Sequence, residues 1–235
     1  MNNLKNLLKW EFILLYRYKL IHITFLSILL YIVSMKITPS DIMPEKDMLP
    51  LLLFFDPAII GIMFVGAIVL FEKAENTLSS LVVTPMKIWE YLASKIISLT
   101  VLATISAVLF VIFATWSFNF NYFFLFVGII LTSVFLVLVG FLMVARLNTI
   151  NEYLLMMMLA FIGLTLPPLL HLNGLYENVI FYLWPTQASF ILFNGVFKGI
   201  ELWEAIYGIV YLSIWIVICF IIAKKAFYKH IVQKG

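Results

Sequence analysis

Charged residues are scarce in this sequence: Asp, Glu, Lys and Arg together make up 11% of its 235 residues. A soluble globular domain carries about 25% charged residues. Hydrophobic residues make up 64% of the chain, and the mean hydropathy is +1.10. The composition therefore excludes an ordinary soluble domain and indicates an integral membrane protein with one membrane domain.

Cysteine is also nearly absent, since Cys219 is the only one in the sequence. A single cysteine excludes a disulfide within the chain and a metal site built from several cysteines. The formal net charge is only +3, and the basic residues are scattered along the chain. This argues against nucleic acid binding, which requires a clustered basic surface.

The sequence lacks the common catalytic motifs. Gly61 and Gly66 have the opening spacing of a phosphate-binding loop, but Ala67 and Ile68 follow where that loop requires Lys and Ser or Thr. Neither H-E-x-x-H nor G-x-S-x-G occurs. We therefore expect no catalytic residue, no bound cofactor and no metal in this chain, and we do not expect an enzyme.

Long apolar runs dominate what is present. About 20 mostly apolar residues are needed to cross about 30 Å of hydrocarbon, and six segments satisfy this. We predict an all-α membrane protein in which residues 1–235 form a single transmembrane domain. The predicted spans are residues 20–36, 50–71, 96–118, 122–145, 153–172 and 205–223.

Residues 175–197 form a seventh apolar stretch, but Pro185 and several polar side chains interrupt it. A proline breaks a helix in its middle, so a helix, turn and helix that enter the membrane from one side fit better than a span. We therefore predict a re-entrant hairpin between the fifth and sixth spans.

The distribution of positive charge supports six spans. The side that holds both termini and the loop 72–95 then carries all Lys and Arg residues except Lys36, Lys46 and Lys198. The positive-inside rule predicts a multi-pass protein of the cell membrane, with both termini in the cytoplasm and the hairpin outside. A seventh span would move the basic C-terminal tail outside, against that rule.

The N-terminal segment, residues 1–19, has apolar residues at helical spacing, namely Leu4, Leu7, Leu8, Phe12 and Leu15. Lys5 and Lys9 lie on another face. This pattern predicts an amphipathic helix on the cytoplasmic surface of the membrane, leading into the first span. The alternative is a first span that is simply longer.

The loop 72–95 is the most polar segment in the middle of the chain, and we call it the polar loop. Leu78, Leu81 and Val82 share one helical face, and Thr77 precedes them as an N-cap. This predicts a short helix across the base of the membrane, with charged residues at both of its ends. Its shape and charge indicate a docking surface, and a solvated connecting loop is the alternative.

A second helix is expected directly after the first. Thr84 is suited to an N-cap and Pro85 to the first helical position, and the helix would run through Trp89 and Tyr91 into the third span. Simple connections between elements usually have about 4 to 6 residues, so a segment of this length and order favours a functional role.

These residues resemble a known family. In the permease subunits of type-2 ABC exporters, the second and third spans are joined by a segment with a fixed order of features. It has an acidic stretch, then Thr-Leu, a V-T-P turn and a Lys. This chain has LFEKAENTL followed by SSLVVTPMKIWEYLASKIISLT, and FFDPAIIGIMFVGAIVLFEK is similar to the small drug-export permeases of the fluoroquinolone type. The family form has Gly before Thr-Leu, where this chain has Asn76; Asn is also a turn residue.

The resemblance implies a permease subunit of an ATP-driven exporter that moves an amphipathic drug, peptide or lipid outward by alternating access. ATP and magnesium would be bound by a separate cytoplasmic ATP-binding subunit in two copies, and a second permease chain would complete the path as a dimer. The polar loop would be the coupling helix. The residues implied at this interface are Glu72, Glu75, Thr77, Leu78, Val82, Thr84 and Pro85.

Two other functions remain open from the sequence. The chain could be a regulatory subunit that docks a cytoplasmic partner and transports nothing, or a secondary transporter. The first would bind a partner without substrate-dependent ATP hydrolysis, and the second would need no ATPase at all. The substrate itself is not readable from the sequence.

Asp56 is the one acid within a predicted span. A carboxylate at the centre of a membrane helix costs about 2.5 to 3.5 kcal/mol on insertion scales, so such a residue is a candidate for function. Pro57 follows it, which favours an acid near the start of a helix at the outer boundary, satisfied by free N–H groups. The alternative is that Asp56 lines the outer end of a substrate path.

Overall fold

The computed structural model describes residues 2–38, 45–75, 77, 87–172 and 179–229. Within these residues the chain is helical and has no strand, as predicted. The α-helices are Asn2–Arg17, Leu20–Ile37, Glu45–Ala58, Val65–Ala74, Ile88–Thr115, Tyr122–Val144, Ile150–Leu172, Pro185–Phe197 and Leu202–Phe227; a π-helix covers Ile59–Phe64 and a 3-10 helix covers Val179–Leu183.

Six helices in the described part of the chain are long and apolar enough to cross a membrane, which confirms the predicted number. We call them spans one to six. The second span is the most buried of them, whereas less than a quarter of spans one, five and six is buried. The spans are Leu20–Ile37, Asp47–Ala74, Ile88–Thr115, Tyr122–Val144, Ile150–Leu170 and Leu202–Phe227.

The third span begins earlier than predicted. Its helix starts at Ile88 rather than near residue 96, because the charged side chains of Glu90 and Lys95 are buried inside the protein and do not end the helix. Lys87 has an extended backbone, and its N–H donates to Oε2 of Glu90 at 3.0 Å. The prediction that this helix starts at Pro85 is therefore wrong.

The second span consists of two α-helical halves joined by the π-helix Ile59–Phe64. This wide turn packs directly on the fourth span. A Cβ atom on Gly61 would lie 2.9 Å from Cβ of Leu136, and one on Gly140 would lie 2.3 Å from Cγ1 of Val65. The hydroxyl of Tyr153, in the fifth span, donates to the carbonyl of Ile62. Glycines therefore permit the close approach of spans two and four.

The N-terminal helix, Asn2–Arg17, is separate from the first span. Lys19, between them, has a left-handed backbone with φ of 58°. The break favours the predicted separate helix over a longer first span. Leu15 is fully buried against the bundle, but Phe12, which the apolar pattern placed on the same face, is 41% exposed.

The second arm of the predicted hairpin is a helix, Pro185–Phe197, with Pro185 at its first position; we call it the hairpin helix. It is almost wholly buried, and the ring of Phe190 stacks on Phe54 of the second span at a centroid distance of 4.4 Å. Among the described residues, the 3-10 turn Val179–Leu183 lies directly before it. The rest of the predicted first arm, residues 175–178, lies outside the described residues.

Candidate functional site

A buried lysine connects three parts of the chain that are distant in sequence. Lys95, in the third span, is 0% exposed. Its Nζ lies 2.9 Å from Oε1 of Glu11 in the N-terminal helix and 2.6 Å from Oε1 of Glu72 at the end of the second span. Both carboxylates are buried as well. We call Glu11, Glu72, Tyr91 and Lys95 the buried ion cluster.

Tyr91 completes this cluster. It lies one helical turn before Lys95, and its hydroxyl donates to Oε2 of Glu72 at 2.5 Å. Nζ of Lys95 lies 4.9 Å from the centroid of the Tyr91 ring, a distance at which a cation is attracted to an aromatic face. The same ring lies 5.0 Å from that of Phe227, at the end of the sixth span. The cluster therefore joins the N-terminal helix, both ends of the polar loop and the sixth span.

The charges in the cluster do not balance when both acids are ionised, because one lysine faces two carboxylates. Oε2 of Glu11 has no hydrogen-bond partner. Burial raises the pKa of Glu11, and the nearby Glu72 raises it further, while Lys95 acts in the opposite direction. A buried charge is tolerated only when it is paired, so loss of Lys95 would leave both carboxylates uncompensated.

Lys73 fixes the same end of the second span to the fourth span. Its Nζ donates to the carbonyl of Val144 at 2.9 Å and to that of Leu147 at 2.6 Å. Val144 is the last residue of the fourth span, where unpaired carbonyls and the helix dipole favour a positive charge. Glu72 and Lys73 are thus consecutive residues that bind different spans.

The residues predicted for the coupling interface fall into two groups. Glu72 is buried in the ion cluster, while Glu75 is exposed and accepts a hydrogen bond from the hydroxyl of Tyr18 at 3.3 Å. The hydroxyl of Thr77 donates to the carbonyl of Glu72 at 2.9 Å. The predicted short helix lies outside the described residues. The same is true of the remaining predicted interface residues, Leu78, Val82, Thr84 and Pro85.

Asp56 lies deep inside the bundle. The helix that contains it begins at Glu45, well before Asp56, so the expectation of an acid at a helix start is wrong. Asp56 is 1% exposed, and its carboxyl group faces the hydroxyls of Ser27 in the first span and Ser106 in the third. The hydrogen bonding of this carboxyl group is incomplete, since its Oδ2 atom has no partner among the described residues.

Comparison with known proteins identifies the family. The model of the fluoroquinolones export permease protein family matches residues 2–235. The chain belongs to this family. The match covers the whole membrane domain, and it confirms the resemblance drawn from the sequence around the polar loop.

Two similar relatives of this export permease come from Mycobacterium tuberculosis, strains CDC 1551 / Oshkosh and ATCC 25618 / H37Rv. Both are named fluoroquinolones export permease protein. Each is 33% identical over 239 residues, which covers 100% of this chain and 99% of the relative. No solved structure matches the chain.

Sequence reasoning missed two members of the ion cluster in this export permease. Glu11 occupies the centre of the apolar stripe formed by Leu7, Leu8 and Leu15, and an acid in that position is a signal of a buried partner. Lys95 was placed at the edge of the polar loop. The spacing of Tyr91 and Lys95, four residues apart, puts both on one helical face and is the second signal.

Proposed function

We propose that this permease is the membrane-spanning subunit of an ATP-driven drug exporter, and that the polar loop transmits movement from a cytoplasmic ATP-binding subunit to the spans. The observation that carries the proposal is the pairing of Lys95 with both Glu72 and Glu11. The relatives named as fluoroquinolones export permeases support a drug as the substrate.

The buried ion cluster makes the ends of the polar loop one mechanical unit. Because Glu72 and Lys95 are the first and last residues of the polar loop and belong to the second and third spans, a push on the loop moves these two spans together. Glu11 adds the N-terminal helix to this unit, and the contact of Tyr91 with Phe227 adds the sixth span. Packed interiors transmit such displacements because they have few voids.

Alternating access requires only a moderate bias between two conformations. A shift from 1:99 to 99:1 takes about 5.5 kcal/mol of differential binding. In this proposal two ATP-binding subunits hold ATP and magnesium and supply that bias. A second permease chain faces the first, and substrate passes between them.

The N-terminal helix is proposed to lie on the cytoplasmic surface of the membrane. Its buried face carries Glu11 and Leu15, while large side chains point away from the bundle: Trp10 is 62% exposed and Tyr16 is 66% exposed. Trp and Tyr are enriched where membrane and water meet, because their rings are amphipathic. This exposed aromatic surface supports an interfacial position.

The test is reconstitution of the full chain with the ATP-binding protein that co-purifies with it. We expect a fluoroquinolone to stimulate ATP hydrolysis, and Glu72→Gln to reduce that stimulation by about tenfold or more while both subunits still co-purify. Glu152→Gln is the matched control, because Glu152 is exposed at the start of the fifth span and forms no ion pair with any described residue.

Three results would contradict the proposal or select another function. Absence of any ATP-hydrolysing companion would favour a secondary transporter, and a companion whose activity ignores substrate would favour a regulatory subunit. Labelling of a cysteine placed at exposed Glu75, in a Cys219→Ala background, should occur from the cytoplasmic side. Labelling from outside the cell would reverse the orientation and exclude coupling through the polar loop.

A further inference from the structure

A group of polar side chains with incomplete hydrogen bonding surrounds Asp56, inside the membrane-spanning bundle. The first span contributes Ser27 and Tyr31, and the third span contributes Ser106. Three atoms in this group are buried and have no hydrogen-bond partner in the part of the chain that the structure describes: Oδ2 of Asp56, the hydroxyl of Tyr31 and Oγ of Ser106. Native proteins leave few such groups, so three in one place require an explanation.

No positive charge within the described residues compensates Asp56. The ion pairs there are Lys95 with Glu11 and Glu72, and Lys198 with Asp47. The hydroxyl of Ser27 already donates its proton to the carbonyl of Thr24 at 2.8 Å. It therefore has no second proton to donate to Asp56. The group therefore has spare acceptors and lacks a cation.

We propose that Asp56, Tyr31 and Ser106 form a binding site for the protonated amine of a cationic or zwitterionic drug. The inference rests on the proposed export function and names the chemical class of its substrate. An ammonium group donates hydrogen bonds and carries the positive charge that the carboxylate lacks, and charge-assisted hydrogen bonds of this kind are among the strongest in proteins.

The surroundings of the carboxylate suit an organic amine. The ring of Tyr31 lies edge to face with that of Phe110 at a centroid distance of 5.9 Å, so aromatic surface lies next to the acid. Aromatic faces attract ammonium groups as well as apolar rings. A calcium ion takes 6 to 8 oxygen ligands. The group offers one carboxylate and three hydroxyls, which are too few if each makes one contact.

The site is closed in this conformation, since Asp56 and Ser106 are each 1% exposed. The first span is its thinnest wall. Half of the side chains of that span are exposed, and its buried residues are Leu20, Thr24, Ile28 and Met35. A shift of the first span away from the second and third would open the site. The first span follows the N-terminal helix, which the buried ion cluster holds.

The experiment measures drug binding to the purified full chain in lipid nanodiscs, without ATP or a partner. The probes are a fluoroquinolone with a free piperazine amine and its N-acetyl derivative, which cannot be protonated there. We expect Asp56→Asn to weaken binding of the free amine at least tenfold and to leave binding of the N-acetyl derivative unchanged. Asp47→Asn, another acid-to-amide change in the second span, should affect neither probe.

Further variants keep the test decisive if Asp56→Asn does not fold. Tyr31→Phe and Ser106→Ala remove one hydroxyl each, and we expect each to weaken binding of the free amine about threefold to tenfold. Equal affinity of the free amine for the parent chain and for all three variants would overturn the proposal. Stabilisation by Na⁺ that depends on Asp56, with no competition from the amine, would also overturn it by assigning an inorganic cation.

The binding assay separates this inference from the proposed function. A chain that couples to an ATPase but binds the amine without Asp56 would refute only the amine site. A chain that binds the amine through Asp56 but has no ATPase companion would refute only ATP-driven export.

Discussion

Lys95 and Glu72 are 23 residues apart and meet inside the protein with Nζ 2.6 Å from Oε1. The polar loop lies between them, so this contact closes the loop at its base. Burying two charges is expensive, and a buried pair adds little net stability compared with apolar side chains of similar size. Its value here is positional, because it fixes where the loop begins and ends.

Replacing Lys95 alone should lower the stability of the protein far more than replacing Glu11, Glu72 and Lys95 together. Lys95→Met leaves two buried carboxylates without a cation, and we expect a loss of about 3 to 5 kcal/mol in stability. The triple variant Glu11→Gln, Glu72→Gln and Lys95→Met should recover most of that loss. Thermal unfolding of the full chain in detergent measures both, and an unchanged melting temperature for Lys95→Met would contradict the prediction.

The pH dependence of stability should reveal Glu11. Burial raises the pKa of Glu11 above its ordinary value of 4.5. Between that value and the raised native pKa, the native state holds more protons than the unfolded state, so stability falls as the pH rises. Unfolding of the parent chain and of Glu11→Gln, compared from pH 4 upward, isolates this effect.

The sign of the change in stability with pH distinguishes the effect of burial from that of Lys95. The stability of the parent chain relative to Glu11→Gln should decrease as the pH rises above about 4.5. The opposite slope would mean that attraction to Lys95 outweighs burial and lowers the pKa of Glu11. No slope would mean that the pKa is the same in the native and unfolded states.

Gly66 should tolerate no side chain. A Cβ atom there would lie 2.0 Å from ring atoms of Tyr153, which would have to move and give up its hydrogen bond to Ile62. We expect Gly66→Ala to lower stability by about 1 to 3 kcal/mol, the usual range for overpacking. Gly163→Ala is the control, because nothing lies within 4 Å of its added carbon. Equal melting temperatures for the two variants would contradict this packing.

The sequence was sufficient for the number and type of the main elements. Hydropathy predicts the six spans, and helical spacing predicts the separate N-terminal helix, since both depend on local composition. It was insufficient where polar residues are paired inside the protein. Glu90 and Lys95 were placed in the polar loop, yet both side chains are buried, and Lys95 is paired with Glu11, which is distant in sequence.

The wide turn in the second span was also not predictable from its own residues. The segment Ile59–Phe64 is apolar and would suit an ordinary helix. Its geometry is associated with contacts made by other spans, namely the backbone of the fourth span beside Gly61 and the hydroxyl of Tyr153 on Ile62. The position of Asp56 within its helix was also mispredicted, since Pro57 lies inside the helix and does not mark its start.

The ion pair between Lys198 and Asp47 connects the end of the hairpin helix to the start of the second span. Both side chains are more than one third exposed. Exposed ion pairs contribute about 0 to 1 kcal/mol, so we expect Lys198→Met to shift unfolding only slightly. The small shift should vanish at about 1 M salt, where the screening length is about 3 Å. A loss as large as that of Lys95→Met would show that this pair is an essential clamp.

The π-helix in the second span has a consequence for the direction of its two acids. One residue of an α-helix corresponds to a rotation of about 100° about the axis, and a π turn accommodates one extra residue. Asp56 lies on one side of this turn and Glu72 on the other. Tightening Ile59–Phe64 into regular helix would therefore rotate the carboxylate of Asp56 relative to that of Glu72, and a local change in winding would exchange the neighbours that each carboxylate meets.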